Sequence, residues 1–422
     1  MVMSVPLRRG LAYLALSLAF SSLTPAWALP PLQLYVALTP PGGTLRPEPG
    51  TYAGPVVIDK PMVLDGGGRV TVDGGGEGTV LTIKADGVTV RGLRLIRSGS
   101  SHDAVDAGIL IQADDATVED NRLEEVLFGI HLSNAHDNRI LNNRIRSLTN
   151  RDISIRGDGI RIWYSHGNLI RGNRVEGVRD LVFSNASDNR VEENIVRDSR
   201  ISMEFVYSPD NQVRNNRLER NVTGIAVIYS DGVQLENNRI AHMRKLTGSG
   251  ITVKESYDVA IEGNIVAHCA VGLLATSPLQ PENVLRIEGN LFTYNDVASY
   301  FYGEKGGHLI HGNDFVNNFV DVMGSAPPTT RLNIWNGNHW DRYSGFDLDA
   351  DGTGDQPHRV WLYSDRIWME RSMARFFRGS VALSLVDFMQ RLAPTSEPEL
   401  IYEDRHPRMR PVTGKTASLP TP

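Results

Sequence analysis

The sequence predicts an all-β chain, a right-handed parallel β-helix with a short helical segment near its C-terminus, and three observations predict it. First, an asparagine returns ten times at intervals of 21 to 30 residues: Asn121, Asn143, Asn173, Asn194, Asn216, Asn238, Asn264, Asn290, Asn313 and Asn338. Second, an apolar residue stands three places before each and another two places after, as in Val118 and Leu123 or Ile287 and Phe292. Third, a Gly fourteen residues before several of these asparagines opens an alternating segment, as in Gly129-Ile-His-Leu, Gly159-Ile-Arg-Ile, Gly224-Ile-Ala-Val and Gly250-Ile-Thr-Val. Alternation with period two is the half-buried strand pattern, so a unit carries about three short strands. A unit this short cannot bury its own apolar face and must stack on copies of itself. Right-handed winding follows from the chirality of parallel crossovers.

The repeat Asn fits the inside of a turn, where amides about 4.8 Å apart can hydrogen-bond from coil to coil. A shorter row repeats at Asn138, Asn168, Asn189 and Asn211, and small residues keep step at Ala135, Ser165, Ala186, Ser208, Ser230 and Ser256, as a tight corner requires.

Residues 1–28 hold Arg8 and Arg9, an apolar run over 11–20 and the small-residue signal Ala26-Trp27-Ala28. This is the pattern of a secretory signal peptide cut after Ala28, with the export route left open by the arginine pair. Its removal takes the formal charge from −6 to −8, and no basic block of the kind nucleic acid needs remains. With Cys269 as the single cysteine, an internal disulfide framework is excluded.

Residues 29–345 are read as the β-helix, with 29–100 as its Gly-rich cap and first coils and 101–345 as the repeated coils. An Asp-rich loop follows at 346–358. Residues 359–393 are read as an amphipathic helical cap or docking segment. Met369, Met373, Phe376 and Phe377, then Val381, Leu385, Phe388, Met389 and Leu392, fall at helical spacing, and neither stretch is long enough to cross a bilayer. Residues 394–422 are read as a flexible tail.

Three groups of residues are candidate ligands. His242-Met243 and His268-Cys269 occupy like positions on successive coils, four and five residues after the repeat Asn. Imidazole, thioether and thiolate together suit a soft metal, Cu(I) above all. The column of Met243 and Cys269 also holds Val126, Leu148 and Val178, which is the pattern of ordinary core. A second pair, His136 and His166, falls at a turn with His131, Trp163 and Tyr164 nearby, and is a further copper candidate. Asp347, Asp349, Asp351, Thr353 and Asp355 follow the calcium-loop spacing around Gly352, with His358 where a bidentate Glu is expected. Met203 falls in an inward column and is read as packing.

Exported β-helices that modify polysaccharides use acids and bases on one exposed face. The corresponding row here, His131, Arg161, Val182, Glu204, Ala226 and Thr252, lacks a paired carboxylate. An epimerase or lyase acting through residues such as Glu204 and Arg161 is the runner-up reading.

The leader PGTYAGPVVIDKPMVLDGGG (49–68), the repeat GIHLSNAHDNRILNNRI (129–145) and the ending NIWNGNHWDRYSGFDLDADGTGD (333–355) together resemble the NosD family, exported maturation proteins of nitrous oxide reductase. The resemblance implies a periplasmic, non-enzymatic β-helix that works with the permease and ATPase subunits of an ABC transporter and with a lipoprotein copper chaperone. It further implies a task in assembling the copper centres of the reductase, chiefly the copper-sulfide cluster. In that setting the basic amphipathic segment is the part expected to meet the permease, which makes the chain peripheral to the membrane.

Overall fold

The computed structural model describes residues 29–148, 152–278, 283–362 and 399–412, with single positions between 380 and 392. The segment expected to be a signal peptide and residues 363–379 lie outside the described residues. The described chain is a parallel β-helix of about 13 turns. A typical unit has strands Gln212–Arg214 and Arg217–Glu219 on either side of Asn216, then strand Thr223–Ile228. The first two join a sheet of 26 strands and the third a sheet of 12. Each strand pairs in parallel with its counterpart one coil on: Val213 with Leu235, Leu218 with Ile240, Ile225 with Ile251.

Register is fixed because a slip of one residue would turn every inward side chain to solvent. The inward columns are fully buried, as in Ile130, Ile160, Leu181, Met203, Ile225 and Ile251. Met203 therefore packs as the sequence indicated. The glycine that opens the third strand is demanded by the next coil: a Cβ on Gly129 would stand 2.2 Å from the carbonyl oxygen of Gly159, and one on Gly224 the same distance from that of Gly250.

The two flanking strands are joined by a turn in which the residue before the repeat Asn is left-handed: Asn142 (φ 54°), Asn215 (56°), Asn237 (53°), Gly172 (69°). Asn and Gly tolerate that region best, which explains the Asn-Asn and Gly-Asn pairs of the repeat. The repeat Asn then faces inward. Asn216 donates from its backbone N and from Nδ2 to Asn238 Oδ1 at 3.0 Å each, and Nδ2 also donates to the Val191 carbonyl at 2.8 Å. Its own Oδ1 accepts from the N and Nδ2 of Asn194. The same links run unbroken from Asn121 to Asn338. Each saturates buried turn groups that would cost about 1–3 kcal/mol apiece if left orphaned.

The shorter Asn row repeats the backbone N to Oδ1 link from Asn138 to Asn211, doubled by Nδ2 at Asn168 and Asn189 but not at Asn138, whose Nδ2 has no partner among the described residues. The small-residue corner does more than fit: Ser165, Ser208, Ser230 and Ser256 accept the amide of the preceding coil through Oγ. A third row, through Asn221, Asn295 and Asn318, carries too few asparagines to stand out in the sequence.

Both ends are closed. Helix Leu32–Leu38 buries Leu32 and Val36 over the first coils, and the Gln33 side-chain amide bonds both the N–H (2.7 Å) and the carbonyl (3.2 Å) of Val57, as a neighbouring strand would. At the other end the chain departs from the sequence reading. Residues 358–362, expected to be helical or loop, form strand His358–Leu362, antiparallel to strand Glu399–Asp404, which had been read as tail. Buried Ile401 and Tyr402 explain why: they complete a plug with Phe315, Trp335 and Trp340 over the last coil. Of the second helical pattern, the described positions Val381, Leu385, Phe388, Met389 and Leu392 are helical and exposed.

Candidate functional site

His242 and His268 occupy left-handed turn positions (φ 65° and 54°) in a column that continues at Tyr294 (φ 54°). A residue so placed throws its side chain outward and turns the next one in. The three rings stack almost parallel, with centroids 4.9 Å apart between the histidines and 5.1 Å between His268 and Tyr294. No ring nitrogen of either histidine has a hydrogen-bond partner among the described residues. Burial, then His242 and Arg244, lowers the pKa of His268, which keeps that imidazole neutral and its lone pair available. Beside His242 lies an open pocket of about 390 Å³ bordered by Arg220, Arg244 and Ile153.

The sequence grouped these imidazoles with Met243 and Cys269, and the structure divides the set. Both sulfur residues are fully buried in the core, one residue along the turn and facing the other way. The Cys269 thiol donates to the Ala267 carbonyl at 3.3 Å, and burial pushes its pKa up to about 12. A soft site of two imidazoles and two sulfurs does not form on this chain. Tyr294 was missed, because a tyrosine is not among the ligands a copper search looks for.

His136 and His166 also stack, with centroids 5.3 Å apart, but their chemistry is spent on the turn. Nδ1 of His136 accepts the amide of His166 at 3.2 Å, and Nδ1 of His166 accepts that of Ser187 at 3.0 Å. In a neutral ring this leaves the proton on Nε2 and no lone pair for a metal. The pair continues a ladder begun by Asp86 and Asp114.

In the Asp-rich loop the carboxylates of Asp347, Asp349 and Asp351 lie within 4.8 Å of one another. Asp355 instead accepts from Leu348 N at 2.7 Å, and the amide of Thr353 donates to Asp351 Oδ1. His358 is packed on Trp340, with its pKa lowered to about 4 by burial. Three carboxylates of the calcium pattern therefore converge, and the residue at its twelfth position belongs to the aromatic plug.

The outward row of the second sheet is richer in acid than the sequence suggested. Asp158 and Asp180, near the start of their strands, are fully buried among Arg161, Arg179 and Arg200. Arg161 also lies over the Phe128 and Trp163 rings. Burial first, then Asp180, raises the pKa of Glu204, which has no ion-pair or hydrogen-bond partner among the described residues. His131 is held down to about 4 by burial and Arg161. Both aspartates are committed to arginines, so Glu204 is the one carboxyl of this group left to act on a ligand.

Comparison with known proteins agrees on one family. A family model described as "Periplasmic copper-binding protein (NosD)" matches residues 147–345. The chain is 34% identical over 387 residues to a protein of Pseudomonas aeruginosa named "Probable ABC transporter binding protein NosD", covering 86% of this chain and 87% of that one. It is 30% identical over 390 residues to a protein of the same name from Stutzerimonas stutzeri, covering 87% and 86%. Among solved structures, the catalytic domain of a GH87 α-1,3-glucanase superposes with a TM-score of 0.52 at 14% identity, over 71% of this chain and 65% of that one, a likeness of fold alone. With relatives of this identity spanning most of both chains, this chain belongs to the NosD family.

Proposed function

We propose that this chain is a periplasmic, non-enzymatic binding component of an ABC transporter that helps to assemble the copper centres of nitrous oxide reductase, the copper-sulfide cluster foremost. Its relatives' name and the family description support the transporter and copper parts of this reading. The observation that carries it is the outward pair His242 and His268, with unengaged ring nitrogens on a solvent-facing column. The two stacked imidazoles offer one nitrogen ligand each on neighbouring coils, and turning one ring out of the parallel stack would bring both onto one ion, an incomplete site for Cu(I) open to a further soft ligand. A lipoprotein copper chaperone docked against the column would supply that ligand and receive or release the ion there. The exposed stripe Val381, Leu385, Phe388, Met389 and Leu392 is the part assigned to the permease.

The test is an anaerobic Cu(I) titration of the mature chain against a chromogenic competitor. The His242→Ala/His268→Ala variant is expected to lose at least tenfold in affinity, and Cys269→Ser to leave it unchanged. Equal binding by wild type and the double alanine variant would remove copper from this column.

A further inference from the structure

Along the outward face of the larger sheet, the position just after the repeat Asn, together with Arg94 one coil earlier, forms a column of arginines. Arg94 pairs with Arg122, Arg122 with Arg144, and Arg144 with Arg174; after Ile195 the column resumes at Arg217 and Arg239. Like charges on directly opposed strand positions repel. Arg94 and Arg122 share Glu124, and Arg217 pairs with Glu219. Arg144 and Arg174, however, are exposed and adjacent, and their guanidinium groups make no ion pair or hydrogen bond among the described residues. They stand where two open grooves meet, of about 500 and 540 Å³, and the floor of the second passes over Gly68, Gly92 and Gly172, which carry no side chain. On a chain of formal charge −6, this is a local excess of guanidinium along the solenoid axis.

We propose that this groove is the docking surface for an acidic α-helix of a partner protein. The spacing selects the occupant. Successive arginines are one strand apart, about 4.8 Å, and carboxylates at i and i+4 of a helix lie about 5–6 Å apart along one face. A helix lying along the solenoid axis rises about 5.4 Å per turn, so carboxylates at i, i+4 and i+7 stay within about 1.2 Å of three successive coils. An extended peptide puts its same-face side chains about 6.8 Å apart and falls out of step within two coils. Arginine suits the role because its planar fork holds carboxylates in pairs. The inference deepens the adaptor reading by naming a partner surface distant in sequence from the histidine column.

The experiment measures fluorescence anisotropy of the full mature chain with two labelled helical peptides of identical composition, one with glutamates at i, i+4 and i+7 on a single face, the other with them spread around the helix. The one-face peptide is expected to bind at least tenfold tighter, weakening with salt, and the Arg144→Ala/Arg174→Ala variant is expected to lose at least tenfold while its thermal unfolding is unchanged. Polygalacturonate serves as a competitor. Equal binding of the two peptides, binding unaffected in the variant, or stronger binding of the glycan than of the one-face peptide would each overturn the proposal. Cu(I) titrations of the wild-type chain and of this variant separate the two readings: copper bound by both while only the variant loses the peptide supports the groove, and a wild-type chain that binds the one-face peptide but no copper fails the copper site alone.

Discussion

Asp404 stands where an eleventh asparagine would, accepting the backbone N (2.9 Å) and Nδ2 (2.9 Å) of Asn338 through a single carboxylate oxygen. Its other oxygen takes the Gly337 amide at 3.1 Å, and Trp340 Nε1 donates to the first at 3.2 Å. At the end of a row of donors an acceptor-only group is the right terminus, because a carboxamide would bring two more N–H groups that have no further coil to serve.

Asp404→Ala is therefore expected to destabilise the last coils by about 3 kcal/mol or more, since several buried donors are orphaned together. Asp404→Asn should cost less. A stack of units need not unfold in one step, so the readout is amide hydrogen exchange at Asn338 and Trp340 compared with Asn216. Protection lost at the C-terminal coils alone is the expected result; uniform protection in Asp404→Ala would show that the carboxylate holds nothing.

The Cys269 thiol should be silent in the folded chain. A thiol that is fully buried with its pKa pushed up to about 12 is almost never a thiolate at neutral pH. Reaction with a disulfide reagent is expected to yield no product in native buffer and one equivalent in denaturant. Rapid native labelling would place the sulfur at the surface and restore it as a metal ligand.

Acid should unfold this chain through its buried histidines. His308 accepts from the Leu285 amide through Nδ1 at 3.2 Å and bonds the Thr276 carbonyl through Nε2 at 3.0 Å, and burial lowers its pKa to about 4. Between the ordinary histidine value near 6.5 and about 4, the unfolded chain binds a proton that the folded chain refuses, so stability falls as pH falls through that window. The loss reaches roughly 3 kcal/mol for this residue below pH 4, at 1.36 kcal/mol per unit. His131 and His358, shifted the same way, add to it. Denaturant midpoints from pH 7 to 4 should show the fall, and His308→Gln should reduce proton uptake on unfolding by about one. A flat profile would mean these rings are protonated in the folded state.

The exposed stripe is expected to matter for association and not for folding. Leu385→Glu/Phe388→Glu should leave the thermal unfolding of the β-helix unchanged and abolish co-purification with the transporter's permease. A drop in thermal stability instead would identify the segment as a cap on the solenoid.

Most of the fold was legible because a solenoid repeats its evidence. The inward columns, the Asn rows and the serine corner each recur at one spacing, so a single misread unit does not change the answer. Strand Glu399–Asp404 was not legible, since it occurs once, follows a Pro-rich stretch and pairs antiparallel with a strand itself hidden behind the Asp-rich loop. At the site, the coil register brought His242 over His268, and the apolar column of Val126, Leu148 and Val178 already pointed Met243 and Cys269 toward the core; what it did not show is the left-handed turn residue that sends His242 the opposite way. Asp158 and Asp180 escaped notice for a related reason. They sit just outside the alternating row used to search for acids, and their pairing with Arg179 and Arg200 is a contact between coils.

The bonded asparagines also have a direction. Every backbone N–H in the row, and one of the two hydrogens on Nδ2, donates toward the C-terminal end, from Asn121 through Asn338, while the second Nδ2 hydrogen turns back to a carbonyl of the coil before. Such a chain of amides is a line of dipoles that polarise one another, with the positive pole emerging at the last coil. The carboxylate of Asp404 meets that pole as an anion meets the start of an α-helix. At the opposite end the first Oδ1 of the spine, that of Asn121, accepts the Leu93 amide, and Gln33 covers the N–H and carbonyl of Val57, so among the described residues these groups are already bonded at both poles and do not invite end-to-end stacking of copies.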